Sequence, residues 1–266
     1  MKGGQGKGRS EVLYGRQPVR EMLKAGRRRV FEVRIAAGAR AGAELDEIRD
    51  LAAEAGAAVL TGRPAAADRE VLGAHHQGVF ARVSPYPYAR PEDARDSIAR
   101  AGDPPLAVLL DHIQDPQNLG SIVRTAEAAG ACAVFIPADR AAGVTPAVVR
   151  ASSGATEHIA IVRVTNLVRT MKDLKKAGLW LSGLEDAPHA RSFAEADLAG
   201  PVGLVVGAEG KGLGRLVRET CDFLVRLPMR GSVNSLNAGV AVGIVLYEAV
   251  RQRIPASAAG LTGSVR

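Results

Sequence analysis

From Leu106 onward the chain alternates short apolar runs with helical stretches, and this rhythm constrains the fold more than any other feature. "LAVLLD" (106–111), "CAVFIP" (132–137), "IAIVRV" (159–164), "LWLSGL" (179–184), "VGLVVG" (202–207) and "FLVRLP" (223–228) have strand length and are apolar almost throughout. A strand apolar on both faces is buried on both faces. Helical segments such as "NLGSIVRTAEAAG" (118–130) and "TNLVRTMKDLKKAG" (165–178) fall between most of them. Strands of this kind separated by helices predict a mostly parallel sheet covered on both sides, the α/β class.

Ahead of this region, "RVFEVRIAA", "AAVLTG" and "GVFARVS" alternate with helical "PVREMLKAG" and "ELDEIRDLAAEAG", a smaller α/β unit. Between the two, Pro and charged residues dominate, with room for a short helix. The expected organisation is a basic flexible arm over 1–10, a first domain over 11–84, a linker over 85–104, a second domain over 105–253 and a flexible tail over 254–266. The last helix is unusual. From Ala238 to Leu246 it carries no charge, so it reads as buried on every side. Yet Ser232, Asn234, Ser235 and Asn237 crowd its mouth.

Charge is distributed unevenly. The 266 residues carry a net +7, but the first 40 hold eleven Lys/Arg against three Glu, so the remainder sums to −1. A basic excess concentrated at one end, with Arg27, Arg28 and Arg29 in a row, is the footprint of nucleic-acid contact or of a solvated arm. An apolar content of 47% excludes a disordered chain. No apolar stretch reaches the ~18 residues of a membrane span, and no secretory signal is recognisable. Cys132 and Cys221 lack metal-type spacing and read as free thiols, which favours a cytoplasmic location.

In open parallel sheets, ligands sit beyond the carboxyl ends of the strands. Three of the loops there hold most of the Asn–Gly–Ser chemistry: "HIQDPQNLGSIVR" after Asp111, "AEGKGLG" after Gly207 and "MRGSVNSLNAG" after Pro228. The middle loop is not a P-loop, because Lys211 precedes Gly212 rather than Ser or Thr, and it has no dinucleotide fingerprint. It remains either an ordinary turn or a close-approach loop built around Glu209. In the first loop, Asp115 and Asn118 suit a helix start. Arg124 lies two turns in, where it either snorkels to water or grips a phosphate or carboxylate. His75-His76, His112, His158 and His189 have no ligand partners at useful spacing, and no metal is expected. Neither a nucleophile elbow nor HExxH occurs, which leaves hydrolase and metalloenzyme readings unsupported.

Taken together, "DPQNLGSIVRTAEAAG", "LVVGAEGKGL" and "LPMRGSVNSLNAGVAVGIVLYE" resemble, in order and spacing, the three motifs of the SpoU (TrmH-like) RNA ribose 2′-O-methyltransferases. "VLYGRQPVREML", "HHQGVFARV" and "RVTNLVRTM" further resemble the subgroup that modifies 23S rRNA guanosine. The likeness covers roughly residues 11–253. It implies a small N-terminal RNA-binding domain and a trefoil-knotted α/β (SPOUT) domain. It also implies a homodimer, S-adenosylmethionine as methyl donor and a 23S rRNA guanosine as acceptor.

By motif match, the catalytic group is Asn118, Arg124, Glu209, Ser235 and Asn237. Gly207, Leu227 and Leu236 correspond to cofactor-binding positions acting through main-chain groups. Arg124 is expected to hold the RNA phosphate beside the target ribose, Asn118 to orient that ribose, and Glu209 to anchor Arg124 or Asn118. After "SLN" many members read Val-Ser where this chain has Ala238-Gly239, which implies a change of packing there. Two alternatives stay open: a tRNA methyltransferase of the same family, and a non-catalytic RNA-binding ribosome-assembly protein.

Overall fold

A computed structural model describes residues 10–62, 76–232 and 235–254. Their contacts divide into two compact units. One comprises the chain up to Tyr88 together with Val144–His158, and the other Ala89–Gly143 and Ile159 onward. His75, the arm over 1–9, Asn234 and the tail from 255 lie outside the described residues.

The first unit opens with β1 (Glu11–Tyr14), α1 (Arg16–Ala25), β2 (Val30–Ile35), α2 (Ala43–Glu54), β3 (Ala58–Thr61) and β4 (Val79–Val83). The strands form a sheet in the order β1-β4-β2-β3. β4 runs antiparallel to both β1 and β2, while β2 and β3 are parallel. Val19, Met22, Leu45 and Ile48 on the two helices are buried with Leu13 and Val33 of the sheet, so each helix submerges one apolar stripe.

The second unit continues with α3 (Pro91–Ala99), β5 (Leu106–Asp111), α4 (Pro116–Ala128) and β6 (Ala133–Pro137). α3 falls inside the Pro-rich stretch, and its Ala94 and Ile98 join the core. After β6 come α5 (Pro146–Ala151) and a 3-10 turn (Ala155–Glu157), both part of the first unit. Next are β7 (Ala160–Val164), α6 (Leu167–Lys176), β8 (Trp180–Leu184), β9 (Arg191–Ser192), β10 (Val202–Gly207), α7 (Arg215–Thr220), β11 (Phe223–Arg226) and α8 (Ala238–Arg253).

Seven strands form one parallel sheet in the order β7-β6-β5-β10-β8-β11-β9. β5 and β6 are buried along their whole length, as continuous apolar runs require. From β5 the chain winds outward to β6 and β7, then crosses to β8 on the other side. β10 and β11 are later inserted between strands already laid down. The order therefore reverses beside β5. There Gly207, the last residue of β10, is in register with Asp111, the last of β5.

The segment between β6 and β7 belongs to the first unit for a specific reason. Arg28, only 4% exposed, grips Glu157 through Nη2 at 2.7 Å and Nε at 3.1 Å, and reaches Glu11 through Nη1 at 2.8 Å. Arg27 donates to the carbonyls of Glu157 and Pro87, both at 3.2 Å. The Tyr86 hydroxyl donates to the Thr156 carbonyl at 2.7 Å, and burial pushes that phenol up to about 12. Two members of the Arg27–Arg29 run are thus used inside the protein. Arg29, the third, remains exposed.

Candidate active site

Asp115 starts α4 by accepting the Gln117 N–H at 3.0 Å, with Pro116 in the first turn where no N–H is needed. Asn118 follows one residue later, only 7% exposed. Two other loops converge on it. Asn237, at the mouth of α8, donates through Nδ2 to Asn118 Oδ1 at 2.7 Å and to Glu209 Oε1 at 3.2 Å. Its side-chain oxygen Oδ1 accepts the N–H groups of Gly239 and Val240 at 2.9 and 3.3 Å, an N-cap. Glu209 Oε1 also takes the Ala238 N–H at 3.0 Å. The carboxylate therefore sits on the positive end of a 16-residue helix, where a negative charge is stabilised.

The structure thus brings Asn118, Glu209 and Asn237, one from each loop, into a single hydrogen-bonded cluster. Glu209 connects to Asn118 through Asn237. Arg124 is exposed on α4 two turns beyond Asn118, and Ser235 and Leu236 are exposed just before Asn237. Leu227 is half-buried beyond β11.

The loop after Gly207 doubles back, with the Gly212 N–H bonding to the Ala208 carbonyl at 2.9 Å. A Cβ placed on Gly207 would lie 2.2 Å from the Gly212 carbonyl carbon and oxygen, so only glycine fits this close approach. That tight loop presents backbone groups beside the cluster and offers a main-chain cradle. Gly239 is explained by packing as well: α4 and α8 lie side by side, and a Cβ there would meet Ser121 Oγ at 2.6 Å.

α8 is not buried on every side. Val240, Ile244 and Tyr247, at i, i+4 and i+7, are exposed along one face. An uncharged run reads alike whether it is covered by its own chain or left for another surface.

Sequence reasoning set His112 aside as isolated, yet the structure gives it a partner. Its backbone is left-handed, with φ at 60°. Its Nδ1 lies 2.5 Å from Oδ1 of the buried Asp111, whose other oxygen accepts the Gly214 N–H at 2.7 Å. A carboxylate at the last position of a buried strand, directly before a histidine, was the available signal.

A family model described as the SpoU rRNA Methylase family matches residues 105–247. The chain belongs to that family. A second model, RNA 2′-O ribose methyltransferase substrate binding, matches residues 12–89, so this SpoU methylase joins a substrate-binding domain to a catalytic one. It is 44% identical over 243 residues to the 23S rRNA (guanosine-2′-O-)-methyltransferase RlmB of Pseudomonas putida, covering 91% of this chain and 97% of that one. Among solved structures it resembles the AdoMet-bound rRNA methyltransferase from Sinorhizobium meliloti, with a TM-score of 0.75 and 25% identity over 93% of this chain and 89% of that one. It also resembles the SpoU methyltransferase AviRb from Streptomyces viridochromogenes in complex with AdoMet, with a TM-score of 0.73 and 28% identity over 92% of this chain and 90% of that one. The α/β architecture with a parallel seven-stranded sheet is that of these methyltransferases. Among the described residues, no helix is long and apolar enough to cross a membrane, and no group of three metal-binding side chains occurs.

Proposed function

We propose that this SpoU methylase transfers a methyl group from S-adenosylmethionine to the ribose 2′-hydroxyl of a guanosine in 23S rRNA. The observation that carries this reading is the Asn118–Asn237–Glu209 cluster, which joins the three motif loops at the sheet edge where ligands bind. The base and the RNA come from the likeness to RlmB over nearly the whole of both chains.

The residues present fit the cofactor. The folded-back glycine loop supplies close-lying backbone groups, and we assign Gly207, Leu227 and Leu236 to hold it. When bound, S-adenosylmethionine supplies an electrophilic methyl on a sulfonium. The protein must place the 2′-oxygen in line with it, within ~3–3.5 Å. Asn118 is fixed by Asn237, and we assign it to orient the ribose, together with exposed Ser235. Glu209 holds Asn237 and the start of α8 in place. A guanidinium stays protonated in proteins, so Arg124 acts by charge and geometry, holding the RNA phosphate and favouring departure of the hydroxyl proton.

Insertion of β10 and β11 between earlier strands supports the trefoil knot expected of the family. The uncharged face of Val240, Ile244 and Tyr247 is assigned to a second copy of the chain, making the enzyme a homodimer. Replacing Tyr247 with Lys should then shift the mass measured by light scattering from dimer to monomer.

The deciding experiment is transfer of labelled methyl to 23S rRNA from cells lacking this gene, followed by nuclease digestion and mass spectrometry. One new 2′-O-methylguanosine is expected. Label confined to tRNA would overturn the substrate, and no transfer at all would favour an assembly factor.

A further inference from the structure

Outside the carboxyl ends of β5 and β10, where the strand order reverses, lies a cavity of about 340 Å³. Its polar lining is Asp111, His112, Gln114, Arg140, Glu209 and Lys211. We propose that this cavity seats a phosphodiester of the RNA substrate, held by Arg140 and Lys211, on the nucleotide next to the methylated ribose. The proposal rests on the methyltransferase reading and adds a binding site to it.

Position is the first argument. The cavity shares Glu209 with the Asn118–Asn237 cluster, so it lies within reach of a nucleotide next to a ribose held there. Its volume lies at the lower end of the ~300–1,000 Å³ typical of small-ligand sites, about right for one nucleotide unit.

Charge is the second. Neither the Arg140 guanidinium nor the Lys211 ammonium has a carboxylate partner among the described residues, although ion pairs are frequent elsewhere on this chain. The two acids of the lining are already engaged. Asp111 is 3% exposed, with one oxygen on the Gly214 N–H and the other against His112. Glu209 faces the Asn237 amide and the Ala238 N–H at a positive helix end. Both acids are thus held by donors of the protein itself, whereas the two cations are not, and a phosphodiester complements Arg140 and Lys211.

Backbone strain is the third. Four non-glycine residues among those described adopt positive φ, and two of them, His112 at 60° and Arg140 at 54°, line this one cavity. Such conformations are strained and gather where function over-determines the backbone. Gln114 locks the pair of loops together, its Nε2 donating to the Arg140 carbonyl at 3.3 Å. Gly212, which follows Lys211 in the lining, also takes a positive φ of 64°.

The test compares wild type with Arg140→Gln plus Lys211→Gln, measuring equilibrium binding to a 23S rRNA transcript across a salt series and, separately, binding of S-adenosylmethionine. Lys176→Gln removes an exposed cation at the far end of α6 and serves as the control. The double variant should bind RNA about tenfold more weakly. Its dependence of log affinity on log salt should be shallower by about 0.7–1. Cofactor affinity, which also reports folding, should match wild type, as should RNA binding by Lys176→Gln. Unchanged RNA affinity and slope in the double variant would overturn the proposal. So would an equal loss in Lys176→Gln, or a loss confined to S-adenosylmethionine, which would place the cofactor's carboxylate in the cavity. Because binding is read without turnover, absence of methyl transfer by wild type would instead count against the proposed activity.

Discussion

Asn237 Nδ2 sits 2.7 Å from Asn118 Oδ1, and this hydrogen bond spans 119 residues of sequence. The same Asn237 side chain caps α8 through its oxygen, so one amide both starts a helix and fixes a site residue. The two jobs separate by substitution. Asn237→Ala removes the cap, worth about 1 kcal/mol, and leaves the nearly buried Asn118 carbonyl without its donor, a further cost of about 1–3 kcal/mol. A drop in melting temperature of about 4–16 °C is expected together with loss of turnover. Asn237→Asp keeps the capping oxygen but sets a second carboxylate against Glu209. It should melt closer to wild type yet turn over as poorly as the alanine variant. Calorimetry and methyl-transfer rates on both variants check this, and equal stability of the two would refute the division.

Gly207→Ala isolates the glycine loop. Its new Cβ would fall 2.2 Å from the Gly212 backbone, which cannot rotate away as a side-chain tip could. The loop must open, costing about 1–3 kcal/mol in overpacking. If Gly207 belongs to the cofactor cradle, affinity for S-adenosylmethionine should fall at least about tenfold while circular dichroism stays native. Wild-type cofactor affinity in this variant would remove Gly207 from the site.

The sheet was legible because a doubly buried strand has to be apolar at every position. "VGLVVG" matches β10 end to end, and "LAVLLD" matches β5. The cluster was legible only through resemblance. Nothing in local pattern says that Asn118 and Asn237 meet, since their contact depends on α8 packing against α4, a property of topology. The role of the segment before β7 was hidden for a different reason. Glu157 and Arg28 each read as ordinary surface charges until they are seen to neutralise one another in the interior. An apolar helix likewise cannot reveal which of its faces the chain itself covers, so Tyr247 and Leu246 look equivalent in sequence but differ in burial.

Both cysteines should be sluggish nucleophiles in the folded protein. Burial raises the Cys132 thiol, and burial, with the Asp222 carboxylate second, pushes Cys221 up to about 12. At pH 8 the thiolate of Cys221 is then about a thousandfold scarcer than for a free cysteine of pKa ~8.5. Alkylation by iodoacetamide should be correspondingly slow until denaturant is added. The stability consequence has a definite sign. A folded-state value above the unfolded one means that the native state holds its proton more tightly. The contribution is therefore complete below about pH 8.5–9 and is lost as pH rises toward 12. Cys221→Ala should flatten the alkaline limb of the stability curve, and an unchanged limb would assign the loss to other groups.

The Arg28–Glu157 pair yields the sharpest stability prediction, because both side chains are fully buried. Removing one partner of a buried pair strands the other charge, typically at about 3–5 kcal/mol. In Glu157→Ala, Arg28 retains Glu11 at 2.8 Å, so the expected loss lies near the bottom of that range, about 3 kcal/mol, by urea denaturation. Glu157→Gln keeps the shape and one acceptor oxygen but removes the charge, and should fall between wild type and Ala. Replacing both Arg28 and Glu157 with apolar residues of similar volume should recover much of the loss, since the pair's desolvation is then avoided. If the single and double replacements cost the same, Glu157 would be contributing through its backbone position alone. The tie between the β6–β7 segment and the first unit would then rest on the hydrogen bonds from Tyr86 and Arg27 instead.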